Sequence, residues 1–158
     1  MRFPTTTDYN NYDGAHCHRL WAELDDDWVC PCCKRTKRLI MRWTTRRLYK
    51  YVGNKMKDKV VTKTYKGWMA GLHGHHDHAI HSCLSPHLAR FPETIICDHC
   101  NCADGSAKRK LGLPKDFSFS PSEIGEFVKS YPHRGHKIDY EKAKEIYLTK
   151  HTKHSHQT

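Results

Sequence analysis

TIICDHCNCADGSAKRKL, residues 94–111, decides how this chain is read. Its first four residues are a short β-branched run suited to a strand, and Asp98 behind them can cap a helix through HCNCADGSAKRKL. Strand and helix meet at Cys97-x-x-Cys100, a spacing that lets the chain curl around one ion. A second pair, Cys30-x-x-Cys33, stands upstream in VCPCCKR. Two pairs supply the four thiolates that a tetrahedral structural Zn²⁺ requires, whereas a redox pair or unrelated buried thiols would explain one pair and not two. Cys32 is then spare, and Cys17, Cys83 and Cys102 read as small core residues in preference to a second zinc site.

A 158-residue chain suggests one domain with a modest core, small enough that a metal would help its stability. With 37% hydrophobic and 28% charged residues the composition is that of a folding chain, not a disordered one. The start, MRFPTTTDYNNYDGAHC, offers no apolar run for a signal sequence, and no stretch is long enough to cross a bilayer, so a soluble cytoplasmic protein is expected. In a reducing compartment thiols stay reduced, which favours metal over disulfides.

The formal charge of +10 is concentrated: Lys34 to Lys66 holds thirteen Lys or Arg against the single acid Asp58. Trp43, Tyr49, Tyr51 and Tyr65 are interleaved with these cations, which a merely solvated loop would not need. Release of counterions from phosphates together with aromatic contact points to a nucleic-acid partner, and the absence of a clear amphipathic helix argues against a membrane.

RLIMRWTTRRLYKYVGNKMKDKVV, residues 38–61, is rich in aromatic and β-branched residues around a Gly-Asn turn and reads as a basic β-hairpin. RLWAEL, residues 19–24, suits one or two helical turns in an N-terminal arm over 1–28. In FSFSPSEIGEFVKSY, Ser120 and Glu123 form a capping box with Pro121 at the first helical position, and Ile124, Phe127, Val128 and Tyr131 would share a face. A last helix can begin at Asp139, with Tyr140, Ala143, Ile146 and Tyr147 at packing positions. The expected division is arm 1–28, core 29–115, helical extension 116–150 and a frayed tail 151–158.

Between the two cysteine pairs lies GLHGHHDHAIHS, residues 71–82, with five histidines. Asp77-His78 stands before a short apolar pair, and Asn101 follows the last knuckle cysteine directly. Here the chain resembles the HNH, or ββα-metal, endonuclease family, whose zinc-knuckled variant runs Cys-x-x-Cys, Asp-His on a first strand, then a second strand ending in Cys-x-x-Cys-Asn before a basic helix. The resemblance covers roughly Cys30 to Lys110. It implies an α+β fold: a ββα-metal core stapled by zinc on Cys30, Cys33, Cys97 and Cys100, with the basic hairpin inserted and helices at the C-terminus. It makes Asp77 and Asn101 ligands of a catalytic Mg²⁺ or Mn²⁺ and His78 the general base.

That chemistry is coherent in its own right. Hydrolysing a phosphodiester needs a water, a group to take its proton and positive charge on the phosphoryl oxygens, and an imidazole near pKa 6.5 accepts a proton at neutral pH. A carboxylate and an amide oxygen are hard ligands suited to such ions. Neighbouring residues on a regular strand face opposite ways, so Asp77 and His78 converge only at a strand end or irregularity, while His76 shares a face with His78 and is the fallback base. His73, His75, His76 and His81 otherwise read as polar surface or phosphate-contacting residues.

DNA contacts are expected from Arg42, Arg46, Arg47 and Lys50 of the hairpin and from Lys108 and Lys110 of the helix. Two departures from the family pattern stand out: the long segment before Asp77, and Pro92 or Glu93 where the central asparagine belongs. The resulting expectation is a type II restriction endonuclease on double-stranded DNA, leaving 5′-phosphate and 3′-hydroxyl ends and acting as a homodimer on a palindrome. Rival readings are a phage or mobile-element nicking enzyme, a non-catalytic zinc-ribbon module and a metal-buffering protein.

Overall fold

The computed structural model describes residues 3–10, 18–52, 59–79 and 86–152. Strand and helix meet at Cys97 as the spacing predicts: Thr94–Cys97 is strand β4 and Asp98–Leu111 is helix α4. Cys97 itself is the N-cap and Asp98 the first helical residue, because the Asp98 carboxylate is drawn sideways to His73 and Arg42. Gly112 ends the helix at φ 63°, a left-handed conformation that costs glycine nothing, and its N–H returns to the Arg109 carbonyl.

β4 pairs antiparallel with strand β3, Leu72–His75, in the register Leu72 to Cys97 and His75 to Thr94. Strand, strand and helix thus follow in chain order, and α4 packs against both strands. Before them come helices α1 (Thr6–Asn10), α2 (His18–Glu23) and α3 (Lys37–Ile40) and the long strands β1 (Arg42–Tyr51) and β2 (Lys59–Met69). β1 and β2 form the expected antiparallel hairpin; its turn, residues 53–58, lies outside the described residues. Residues 37–40 are helical instead of strand-like because the Thr36 side chain accepts from the Leu39 N–H and starts a turn there.

After α4, helix α5 (Pro121–Phe127) opens on the predicted capping box, and α6 (Tyr140–His151) starts where the Asp139 carboxylate accepts from the Lys142 N–H. The shared face expected through Tyr131 stops short, since Val128–Lys129 leaves the helix as β5 and pairs with β6, Lys137–Ile138. Phe119, Ile124, Phe127, Ala143 and Ile146 join Cys30, Leu72, Ile96, Ala103 and Ala107 in one buried cluster, so the C-terminal helices and the strand–strand–helix unit share a core. His151 belongs to α6; residues 153–158, and the earlier expectations for Cys17, His81 and Cys83, fall outside the described residues.

Candidate metal centre and histidine cluster

The two knuckles meet. Cys30 Sγ lies 3.8 Å from Cys100 Sγ, Cys33 Sγ lies 3.8 Å from Cys97 Sγ, and all four sulfurs fall within 4.8 Å of one another. Four sulfurs at about 2.3 Å from a central zinc form a tetrahedron with edges of about 3.8 Å, so the spacing fits the ion. These buried thiols can therefore hold a structural metal such as zinc. The first knuckle is turned by the Lys34 N–H donating to the Cys30 carbonyl, with Lys34 itself at φ 61°. The second is the junction of β4 and α4, so an ion here would fasten the first knuckle to the root of the helix.

Arg35, which spacing did not single out, completes the centre. It is 3% exposed, and its Nε donates to Cys33 Sγ at 3.3 Å and its NH2 to Cys97 Sγ at 3.5 Å. The same guanidinium reaches the Tyr131 and Arg134 carbonyls and His99 Nδ1. Burial disfavours its charge, but the neighbouring sulfurs of Cys33 and Cys97 outweigh that and hold its pKa above the ordinary range. A divalent ion on four thiolates leaves a net charge of −2, which one buried cation halves. His136 Nε2 stands 3.1 Å from Cys100 Sγ, and His133 Nδ1 donates to the Met41 carbonyl. These two histidines are engaged inside the fold. Their loop packs back on the first knuckle, a long-range contact that no local pattern announces.

The histidine segment leaves β3 at His75, so Asp77 and His78 do sit beyond a strand end. His75 is buried, its Nε2 donating to the Phe119 carbonyl at 2.7 Å and its ring stacked on Phe91. The rings of His76 and His78 are 5.0 Å apart, although both residues lie beyond the end of β3, where strand alternation no longer sets which way they face. His78 is anchored through its backbone N–H to Ser118 Oγ. Its pKa is lowered from 6.5 by burial first and then by Lys108 and His76, with Asp104 opposing. Through Ser118, whose neighbour Phe119 donates its N–H to Asp104, His78 is linked to the middle of α4.

Asp77 is 2% exposed, and both its oxygens are occupied. Oδ1 accepts from the Ala79 N–H, Oδ2 accepts from the Arg90 N–H at 3.0 Å, and Arg90 Nε stands 3.6 Å away. Arg90 also meets Glu123, which pairs with His151. A buried carboxylate already neutralised by a guanidinium does not fit the role of ligand to a hard divalent cation in this arrangement. Asn101 is half-buried in the first turn of α4. Along the helix axis it is about 10 Å from Lys108, at 1.5 Å per residue, and so toward the far end from the cations that flank His78. None of the described contacts joins Asp77, His78 and Asn101.

Lys108, expected on phosphate, is 14% exposed and committed internally: Nζ pairs with Asp104 Oδ2 at 3.0 Å and donates to the Phe117 carbonyl. Lys110, Arg47 and Lys50 are exposed, Arg46 is half-buried, and Arg42 reaches Asp98 at 3.7 Å. The His73 hydrogen bond, aided by Arg42, holds the Asp98 carboxyl below its ordinary pKa. Comparison with known protein families, curated proteins and solved structures gives no match. The functional reading therefore rests on this chain's own residues.

Proposed function

We infer that the chain is a phosphodiester hydrolase acting on double-stranded DNA, built on a ββα module that a zinc ion staples through Cys30, Cys33, Cys97 and Cys100. One observation carries the reading: knuckle, histidine-bearing strand, antiparallel strand and knuckle-rooted helix follow one another in the order that the HNH resemblance implies. In this reading His78, kept neutral by burial and nearby cations, takes the proton of a water. That water attacks phosphorus in line and the bond to the 3′ oxygen breaks. The oxygen leaves as a 3′-hydroxyl once protonated, and the phosphate stays on the 5′ end.

His76 is the fallback base on the same side. Asp77 is assigned a positioning role through Arg90, and no step is derived through a cation on Asp77 and Asn101. A restriction enzyme working as a two-fold dimer is the first biological setting, and a nicking enzyme the second.

The engagement of Asp77 by Arg90 favours one rival, a zinc-stapled module that binds DNA without cutting it. Incubation with supercoiled plasmid in Mg²⁺, in Mn²⁺ and in EDTA separates the two. The hydrolase reading expects nicked or linear product that His78→Ala removes while zinc content and DNA binding persist. Intact plasmid under every condition, at protein concentrations that saturate binding, would leave the binding module as the answer.

A further inference from the structure

The β1–β2 hairpin is unusual for what it lacks. Its two strands carry Arg42, Arg46, Arg47, Lys50, Lys59, Lys63 and Lys66 and no acidic residue. Eight consecutive residues of β2, Lys59 to Lys66, are exposed, so neither face of the distal half is covered by the rest of the described protein. A two-stranded ribbon of this kind is marginal in water. Ten residues at about 3.3 Å each give it a reach of about 33 Å. Val60, Val61, Tyr49 and Tyr65 are exposed among its cations, and Lys63 and Lys59 each stand 4.7 Å over the rings of Tyr65 and Tyr49.

The register distinguishes the faces. Arg42 lies opposite Met69, Thr44 opposite Gly67, Arg46 opposite Tyr65 and Leu48 opposite Lys63, and alternation puts these residues on one side. The other side holds Trp43 opposite Trp68, Thr45 opposite Lys66 and Arg47 opposite Thr64. At the root this second side meets the body through Trp68, which packs on His133, itself against Phe3, while Trp43, Thr45, Arg47 and Lys66 on the same side are exposed. The first side is instead tied by Arg42 to Asp98, in the same helical turn as Asn101.

We propose that the β1–β2 ribbon enters the major groove of B-form DNA, with the Arg46, Lys63 and Tyr65 face turned to the base edges. Bound this way the duplex runs toward the N-terminal turn of α4. The major groove of B-DNA, about 12 Å wide, admits a two-stranded ribbon, whereas the A-form major groove of RNA is too narrow for side chains to read. The acid-free charge supplies the phosphate attraction, and Arg46 supplies a fork able to donate to guanine. Arg47 and Lys66, exposed on the side whose root packs on His133 through Trp68, are left to the phosphates. This inference rests on the DNA reading above but not on cleavage.

The test uses full-length protein carrying His78→Ala, so that binding is read whether or not the chain cuts. Probes are a mixed-sequence DNA duplex and the RNA duplex of the same sequence. Arg46→Ala with Lys63→Ala is compared with Arg47→Ala with Lys66→Ala, each checked for zinc content and melting temperature. Removing the phosphate-directed pair, Arg47 and Lys66, should flatten the salt dependence of log K by about 2, and removing the base-directed pair should flatten it less. The first pair should weaken DNA binding at least about tenfold, the second several-fold less. Methylation of guanine N7, in the major groove, should interfere with binding, and the parent protein should prefer DNA over RNA by about tenfold or more.

Equal losses from the two pairs, interference confined to adenine N3 in the minor groove, or equal binding of RNA would each overturn the proposal. A protein that binds with this pattern but never nicks plasmid refutes the hydrolase reading alone. One that nicks plasmid with face-indifferent binding refutes the ribbon alone.

Discussion

Replacing Arg35 by Met keeps much of the side chain's volume and removes its charge. Five contacts go with it: the sulfurs of Cys33 and Cys97, the Tyr131 and Arg134 carbonyls and His99 Nδ1. All of them lie where water does not easily substitute, since the residue is 3% exposed. Breaking a buried charged network by removing one partner costs about 3–5 kcal/mol. In a chain of this size each kcal/mol moves the melting temperature by about 2–4 °C, so Arg35→Met should lower it by about 6–20 °C. In protein loaded with zinc at the four cysteines, the loss of N–H donors to two thiolates should also speed release of the metal to a competing chelator. Melting by circular dichroism and chelator-monitored release are the two readouts. A shift under about 2 °C with unchanged release would refute the view that Arg35 balances the thiolate charge.

Two further outcomes follow from single contacts. An ideal Cβ on Gly125 would lie 2.7 Å from the Cys32 carbonyl oxygen, a backbone atom that cannot step aside, so Gly125→Ala should cost about 1–3 kcal/mol in urea denaturation; an unchanged midpoint would mean that α5 slides freely on the first knuckle. The pKa of His78 is lowered, so its neutral form persists below pH 6.5 and is lost only as pH falls further. Lys108→Met removes a cation that repels the His78 proton and leaves Asp104 attracting it, so the titration observed by NMR should move to higher pH. In a cleaving protein the acidic limb of the pH profile should move the same way; a downward shift would contradict the geometry.

The parts of the fold that were legible are those written in short-range chemistry. Cys-x-x-Cys spacing has few physical uses, and two copies have fewer, so the convergence of Cys30, Cys33, Cys97 and Cys100 could be expected before any coordinates. The Ser120–Glu123 capping box and the Asp139 cap are local motifs, and they start α5 and α6 where expected. Hairpin β1–β2 announced itself through alternation and turn residues. What stayed hidden required knowing which distant groups meet. Arg35 looks like one more cation of a basic run, and only folding brings the Tyr131 and Arg134 carbonyls across to it. Arg90 gives no sign in the sequence that it will neutralise Asp77, 13 residues earlier. Lys108 has the i, i+4 spacing to Asp104 that marks an internal pair, and the structure makes it one, in place of the phosphate contact that its position on a basic helix suggests.

The same division bears on how such a chain would engage a long polyanion. Around the thiolate cluster the contacts are specific, with Arg35 on the sulfurs and His136 Nε2 on Cys100, although His99 Nε2 and His136 Nδ1 are buried there without a partner among the described residues; further along α4, Asp104 is committed to Lys108 and the Phe119 N–H. A site meant to hold geometry is built this way, because rotamers locked by packing and hydrogen bonds cannot drift. The distal ribbon has the opposite construction, with its cations exposed and its apolar side chains unpacked. Ordering such a segment costs conformational entropy in the free protein and is offset only when a partner supplies contacts on its length. Stiffening it, by a disulfide across Thr44 and Gly67 for example, a cross-strand pair that carries no cation, would leave the cysteine cluster untouched and tighten DNA binding through a slower off-rate. A ribbon that merely decorates the surface would show no such gain.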